Sequence, residues 1–337
     1  MKNMKIAILT LGCKTNQAES NTMAADLTAR GFFTTCKLGA GETADLYIIN
    51  TCAVTAMAEK KSRHMASTIV NNNPAAQIIL VGCATQNNAE QFGMPNILRT
   101  FGTKKDDVVN YITQNFKPTG NKNATRHRTE HYLKIQDGCN NSCTFCIVSA
   151  LRGPSTSRAI ADIMTEVLSL PAKTPIAITG INLTQFPNLP ELCRQIDGAG
   201  YPFRISSLYI DVIDGLFDTL ATCKNFVPRF HLSLQSGSQN VLQSMGRRYG
   251  PTEIKNTVEH IRKLWPTAFI SADIITGFPT ETDTDHKQTV ALLTELRLDH
   301  LHIFPYSPRP GTPAAEMKQI PSNIVSTRAR ELKNVVQ

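Results

Sequence analysis

Three cysteines fall within eight residues, at Cys139-Asn-Asn-Ser-Cys143-Thr-Phe-Cys146. Thiolates this crowded gather a soft metal centre where the compartment keeps them reduced. A structural zinc ion usually takes four ligands, often in Cys-x2-Cys pairs. Here no fourth Cys or His lies nearby, and the next cysteine is Cys193. A three-thiolate [4Fe–4S] cluster instead leaves one iron open to a ligand, by the open-position logic that separates catalytic from structural zinc. The cluster is preferred, with zinc as the alternative.

A second set of thiols is dispersed. Cys13, Cys52 and Cys83 each lie one to three residues beyond an apolar run, namely Lys5–Thr10, Asp45–Asn50 and Gln77–Gly82. Helical patterns over 16–30 and about 55–71 separate these runs, the first stopping at Gly31. The alternation predicts parallel βαβ units, whose strands bring their carboxyl ends to one edge where open α/β sheets bind ligands. A single such cysteine would be an ordinary buried small side chain. Three in the same topological position predict a second metal centre. Cys36, Cys193 and Cys223 have no such placement and read as core residues.

These sites need elements to hold them, and the chain divides into an N-terminal domain over 1–117, a polar linker over 118–130 and a second α/β domain over 131–318. A basic segment, 319–337, follows. In the second domain strands are expected at Tyr132–Gln136, Ile176–Gly180, Phe203–Ser207, Arg229–Gln235, Phe269–Thr276 and His300–Phe304, with helical patterns between them. Six βα units predict a parallel barrel or partial barrel with its chemistry at the carboxyl ends of the strands. An open doubly wound sheet would give the same pattern.

Composition sets the boundaries. The 337 residues are 41% hydrophobic and 18% charged, so the chain folds and disorder is excluded as its main state. No apolar run approaches the ~18 residues of a membrane span. The start, Met-Lys-Asn-Met-Lys, is too short for a signal peptide and leads into a first strand. A cytoplasmic protein with reduced thiols is expected, and nine cysteines cannot all pair. The net charge of +8 and the basic groups at 59–64, 122–128 and Arg247-Arg248 suit an acidic partner such as RNA, or a plain solvated surface.

The Cys-x3-Cys-x2-Cys loop, with an aromatic before its last cysteine, resembles the cluster loop of radical S-adenosylmethionine (SAM) enzymes. Lys134-Ile-Gln-Asp-Gly-Cys139 and Arg152-Gly-Pro-Ser-Thr-Ser-Arg158 are similar to the methylthiotransferases of that superfamily. So are Thr10-Leu-Gly-Cys13-Lys-Thr-Asn-Gln17, Asn50-Thr-Cys52-Ala-Val and Val81-Gly-Cys83-Ala-Thr-Gln86. Further likeness runs through 204–208, 231–238, 273–279 and 304–312, so that it spans Lys5 to about Pro313.

The resemblance implies a flavodoxin-like N-terminal domain and a radical SAM partial (β/α)6 barrel. It implies two [4Fe–4S] clusters, one on Cys139, Cys143 and Cys146 and an auxiliary one on Cys13, Cys52 and Cys83. The open iron of the first would chelate SAM, and an electron would release a 5′-deoxyadenosyl radical. Phe145 would pack beside the adenine, although it also reads as a core aromatic. Thr179, Gly180 and Asn182 would line the SAM methionine, with Ser206 and Gln235 completing the cosubstrate pocket. The auxiliary cluster would carry an extra sulfur, methylated by a second SAM, and the linker would let both cluster-bearing edges face the substrate. No acid–base residue is expected, because an aromatic C–H has no acidic proton and a cofactor must supply the radical.

Lys14 after Cys13 resembles the branch acting on C2 of N6-threonylcarbamoyladenosine, next to the tRNA anticodon. The isopentenyladenosine branch more often has Gln-Met-Asn there, and a third branch modifies an aspartate of a ribosomal protein. The implied partners are the tRNA anticodon stem-loop, whose target base must be unstacked, and an electron donor left undefined. Lys60, Lys61, Arg63, Arg126, Arg128, Arg247 and Arg248 are the candidate phosphate contacts. Three features depart from the family pattern. A C-terminal all-β RNA-binding domain has no counterpart before Gln337, Ser206-Ser207-Leu208-Tyr209 has Tyr where the family has Glu, and the connection from Gly180 to Glu191 is short. The rival of another class is a non-catalytic, metal-containing nucleic-acid-binding or electron-transfer protein. The few aromatics, without a stacking pattern, argue against it.

Overall fold

A computed structural model describes residues 4–39, 41–118, 120, 124–125, 130–210 and 215–335. The chain forms two compact units, Met1–Lys134 with Ala150–Gly153, and Ile135–Ser149 with Pro154–Gln337. Among the described residues no helix is long and apolar enough to cross a membrane.

The first unit runs β1 (Lys5–Thr10), α1 (Lys14–Ala29), β2 (Phe33–Thr35), β3 (Leu46–Thr51), α2 (Ala56–Asn72), β4 (Gln77–Gly82), α3 (Cys83–Asn87), β5 (Ile97–Thr100), α4 (Asp106–Asn115), β6 (Ala124–Thr125) and β7 (His131–Lys134). Six strands pair in parallel in the order β5-β4-β3-β1-β2-β6. The order 2-1-3-4-5 within it is the flavodoxin-like one, with its switch point between β1 and β3. Alternation along the strands builds two cores. Ile6, Ile8, Leu46, Ile48, Ile79 and Val81 pack with Met23, Leu27, Val108 and Ile112 on one face. Ala7, Tyr47, Ile49, Ile78 and Leu80 pack with Ala66, Ile69 and Phe92 on the other. The sequence shows β1, β3 and β4, which are buried on both faces, but not β2, β5 and β6, which are only three, four and two residues long. β6 lies inside the stretch expected to be linker, most of which falls outside the described residues.

The second unit contains the antiparallel pair β8 (Gln136–Asp137) and β9 (Thr156–Ser157). The helix α5 (Val148–Arg152) is divided, its last three residues counting with the first unit. There follow α6 (Ile160–Leu168), β10 (Ile176–Thr179), α7 (Leu189–Gly198), β11 (Phe203–Ile205), α8 (Leu216–Thr222), β12 (Arg229–Gln235), α9 (Gln239–Ser244), α10 (Pro251–Leu264), β13 (Phe269–Thr276), α11 (Asp283–Leu296), β14 (His300–Pro305) and α12 (Ser322–Lys333). The expected start of α8 at Asp214 lies outside the described residues.

Ile135 N–H donates to the Thr179 carbonyl at 3.0 Å, which lays the entering segment along β10. β10 pairs in parallel with β11, and β12 with β13 and β14. Parallel bridges Leu208–Leu232 and Phe203–Phe226 join the two groups. The result is a parallel partial barrel. Phe226, Phe230 and Trp265, with ring centroids 5.4–5.6 Å apart, fill the space behind β12.

Candidate metal centres

Cys13, Cys52 and Cys83 follow β1, β3 and β4, as the topology requires. Two glycines bring them close. A Cβ at Gly12, whose φ is +96°, would lie 2.7 Å from the Cys52 Sγ. One at Gly82, with φ +117°, would meet the Thr51 carbonyl at 2.5 Å. Only glycine tolerates both the contact and the dihedral. Asn16 adds a tie, its Nδ2 donating to the carbonyls of Leu11 and Thr51 at 2.9 and 3.0 Å. Cys13 is exposed, whereas Cys52 and Cys83 are buried. Burial pushes the Cys52 thiol up to about 12, with Cys13 and Cys83 acting in the same direction. Burial raises Cys83 too, against the opposing pull of Arg152, which hydrogen bonds to it. Ligation must drive off protons that the Cys52 and Cys83 thiols hold tightly.

A cation network that sequence reading missed adjoins these thiols within the first unit. Glu19 accepts from Arg152 Nη1 and Lys134 Nζ, both at 2.7 Å, and lies 3.5 Å from Lys105 Nζ. Burial alone would raise its carboxyl, but the Arg152 hydrogen bond and the three cations together hold it at about 2. Lys105 also donates to Asn50 Oδ1 at 3.0 Å, and Arg152 Nη2 to Asn16 Oδ1 at 2.8 Å. Separations of up to 136 residues leave no periodic signal of this network in the sequence.

In the second unit the loop bearing Cys139, Cys143 and Cys146 is held from several sides. Cys146 N–H donates to the Cys143 carbonyl, and Thr144 N–H to that of Met245. Gln136 connects the loop to the end of β10. Its Nε2 donates to the Gly138 carbonyl at 2.7 Å and to Ser155 Oγ at 2.8 Å. Its Oε1 accepts from the backbone N–H groups of Ile181 and Asn182, both at 2.9 Å, and rests against Gly180. Asn182 Nδ2 reaches the Cys139 sulfur at 3.8 Å. Burial raises the Cys146 thiol, and Cys143 and Cys139 add to the shift. Among the described residues, no three Cys, His, Asp or Glu converge on one point as a single ion would require. A cubane asks for something wider, since each thiolate binds its own iron.

Thr179 ends β10, Ser206 follows β11 and Gln235 ends β12, so all three occupy carboxyl ends of parallel strands. All are buried, and Gln235 sits at φ +71°, a left-handed strain that non-glycine residues keep where surroundings enforce it. Phe145 is half-buried among Val241, Met245, Phe278 and Ala314, a packing role alongside any contact with a ligand.

Arg247 does not reach the surface where the sequence analysis put it. Its guanidinium is buried, 4.6 Å from the Tyr209 ring centroid, 5.5 Å from that of Phe145 and 5.8 Å from that of Tyr249. Its Nε and Nη1 have no hydrogen-bond acceptor among the described residues. Burial works against its charge, but Tyr249, Tyr209 and Cys143 overcome that and stabilise the cation. Burial likewise raises the Tyr209 phenol, which lies within electrostatic reach of all three loop thiols. The Arg-Arg dipeptide was the only signal of Arg247, and it points equally to a surface. Lys60, Lys61 and Arg248 are exposed, and Arg63 is half-buried and bonds to Gln91. Arg126 and Arg128 lie outside the described residues.

The model of the Radical SAM superfamily matches residues 133–293, and that of the uncharacterized protein family UPF0004 matches residues 5–98. The threonylcarbamoyladenosine tRNA methylthiotransferase MtaB of Thermotoga maritima is 34% identical over 343 residues, which cover 94% of this chain and 78% of that protein. Its namesake from Rickettsia prowazekii is 32% identical, over 98% of this chain and 82% of that protein. The chain belongs to the radical SAM methylthiotransferases. Another relative is the tRNA-2-methylthio-N(6)-dimethylallyladenosine synthase of Thermobifida fusca, 31% identical over 96% of this chain and 72% of that protein. Among solved structures, the radical SAM methyltransferase TsrM of Kitasatospora setae superposes with a TM-score of 0.64 at 13% identity, covering 94% of this chain and 77% of that one. That likeness concerns the fold. As a radical SAM methylthiotransferase, the protein works with SAM and two [4Fe–4S] clusters.

Proposed function

We propose that this methylthiotransferase adds a methylthio group to C2 of N6-threonylcarbamoyladenosine, beside the anticodon of a tRNA in the cytoplasm. The observation that carries the reading is the pair of three-cysteine sites, one in each unit, in a chain whose relatives include several threonylcarbamoyladenosine tRNA methylthiotransferases. When bound, the clusters supply the electron that cleaves SAM and the sulfur that is transferred. The protein's own groups do the rest. Cys139, Cys143 and Cys146 hold one cluster, with Asn182 donating to the Cys139 sulfur. Cys13, Cys52 and Cys83 hold the other.

Arg247 offers two donors, Nε and Nη1, that no described residue satisfies, beside the loop thiols, which suits the carboxylate of SAM. Gln136 fixes the turn carrying Thr179, Gly180 and Asn182, while Ser206 and Gln235 line the neighbouring strand ends. Exposed Lys60, Lys61 and Arg248, in a chain of net charge +8, give the sequence-independent attraction that a tRNA backbone needs. Mass spectrometry of tRNA nucleosides from a strain lacking the gene tests the assignment. The methylthio form of threonylcarbamoyladenosine should disappear. If it persists and the methylthio form of isopentenyladenosine is lost instead, the substrate belongs to the other branch.

A further inference from the structure

A closed parallel barrel fills its interior with bulky aliphatic side chains, so polar groups on an inner strand face mark space kept for a ligand. β12, β13 and β14 break the aliphatic rule on one face only. Phe230, Leu232, Ile270, Ala272 and Leu301 are buried on the other, where Phe230 meets Phe217 of α8 and Trp265. Pairing sets His231 beside Ser271, Ser271 beside His300 and Asp273 beside His302, all on the inward face. Ile275, two residues beyond Asp273 on that face, packs in the same cluster as Phe145 of the cysteine loop.

These groups are joined to one another. His231 Nε2 lies 3.0 Å from Asp273 Oδ2, and its Nδ1 lies 2.9 Å from Ser271 Oγ. The His231 and His302 rings meet edge-on with centroids 5.2 Å apart, and those of His300 and His302 at 4.6 Å. His300 and His302 are exposed, whereas His231 and Asp273 are half-buried. At ~3.3 Å per residue, Asp273 stands roughly 10 Å from the carboxyl end of β13 at Thr276. A base held at the strand ends reaches it only through a long substituent.

We propose that Asp273, His300 and His302, with His231 positioning Asp273, form the pocket that recognises the polar arm on N6 of the target adenosine. The inference rests on the reading of the substrate as N6-threonylcarbamoyladenosine, whose arm carries a hydroxyl, urea N–H groups and a carboxylate. An imidazole N–H donates a charge-assisted hydrogen bond to a carboxylate, the part that His300 and His302 play. Asp273 accepts from the hydroxyl or an N–H, and His231 holds it in place. An isopentenyl arm offers none of these groups and leaves the pocket's polar atoms unpaired, which is how a polar site rejects an apolar analogue.

The test uses the full chain, reconstituted anaerobically and supplied with SAM but no reductant, so that binding is read without turnover. Dissociation constants are measured for synthetic anticodon stem-loops that differ only at the target base. That base is adenosine, N6-threonylcarbamoyladenosine, the methyl ester of its carboxylate, or N6-isopentenyladenosine. The threonylcarbamoyl stem-loop should bind roughly tenfold or more tightly than the ester and the unmodified form. His300→Leu combined with His302→Leu should remove the margin over the ester, with iron content and affinity for the unmodified stem-loop unchanged. Asp273→Asn should narrow the margin of both acid and ester over the unmodified form. The paired Ala substitutions take the place of the Leu pair if the latter folds poorly. Unchanged margins in these variants, or an intact chain that binds the ester as tightly as the acid, overturn the pocket. A preference for the isopentenyl stem-loop in the intact chain overturns the substrate reading itself.

Discussion

Arg247 and Glu19 show what a buried charge can disclose. Arg247 Nε and Nη1 have no acceptor among the described residues, so its substitution should be read by ligand binding rather than stability. Arg247→Ala is expected to weaken SAM binding by about 2 kcal/mol or more in isothermal titration, with iron content unchanged. Arg247→Lys should recover only part of this, because an ammonium cannot match a carboxylate bidentately. Glu19 titrates at about 2 in the folded chain against an ordinary 4.5. The folded state therefore binds fewer protons than the unfolded one in this range. Its contribution, roughly 3 kcal/mol, is full above pH 4.5 and is lost as pH falls towards 2. Acid unfolding of the metal-free chain should show that loss, and Glu19→Gln should be destabilised already at neutral pH and lack this part of the pH dependence. The six cysteines proposed for the two sites are singled out in the sequence by spacing and strand-end position. Glu19, Lys105 and Arg247 were not, because their roles depend on partners distant in the chain.

At the level of elements, both sites follow from where strands end. β1, β3 and β4 could be read from their apolar runs, and Arg229–Gln235 and Phe269–Thr276 agree residue for residue with β12 and β13. The short edge strands β2, β5 and β6 carry too few residues for a period to register. The flavodoxin-like order could be inferred only through resemblance, since alternation alone does not order strands. Gln136 ties the entering segment, the cysteine loop and the end of β10 together. Gln136→Leu should orphan the N–H groups of Ile181 and Asn182, at about 1–3 kcal/mol each where they stay dry. Faster loss of iron from the loop, with the first unit's iron retained, is the expected result in chelator-challenge kinetics. Gly12→Ala should do the reverse, because its Cβ would press on the Cys52 sulfur at 2.7 Å. Iron analysis of that variant should find the first unit's iron lost and the loop's retained.

For the molecule as a whole, the proposed function depends on two thiol sites built by different rules. One is local, three cysteines in a single loop, and the other is assembled by a parallel sheet from segments 39 and 31 residues apart. Iron and acid-labile sulfide counting after anaerobic reconstitution tests this most directly. Two four-iron clusters require about eight irons per chain, falling to about four when either cysteine triplet is replaced by Ala. About four irons in the intact chain, unchanged when Cys13, Cys52 and Cys83 are all replaced, would contradict a second cluster.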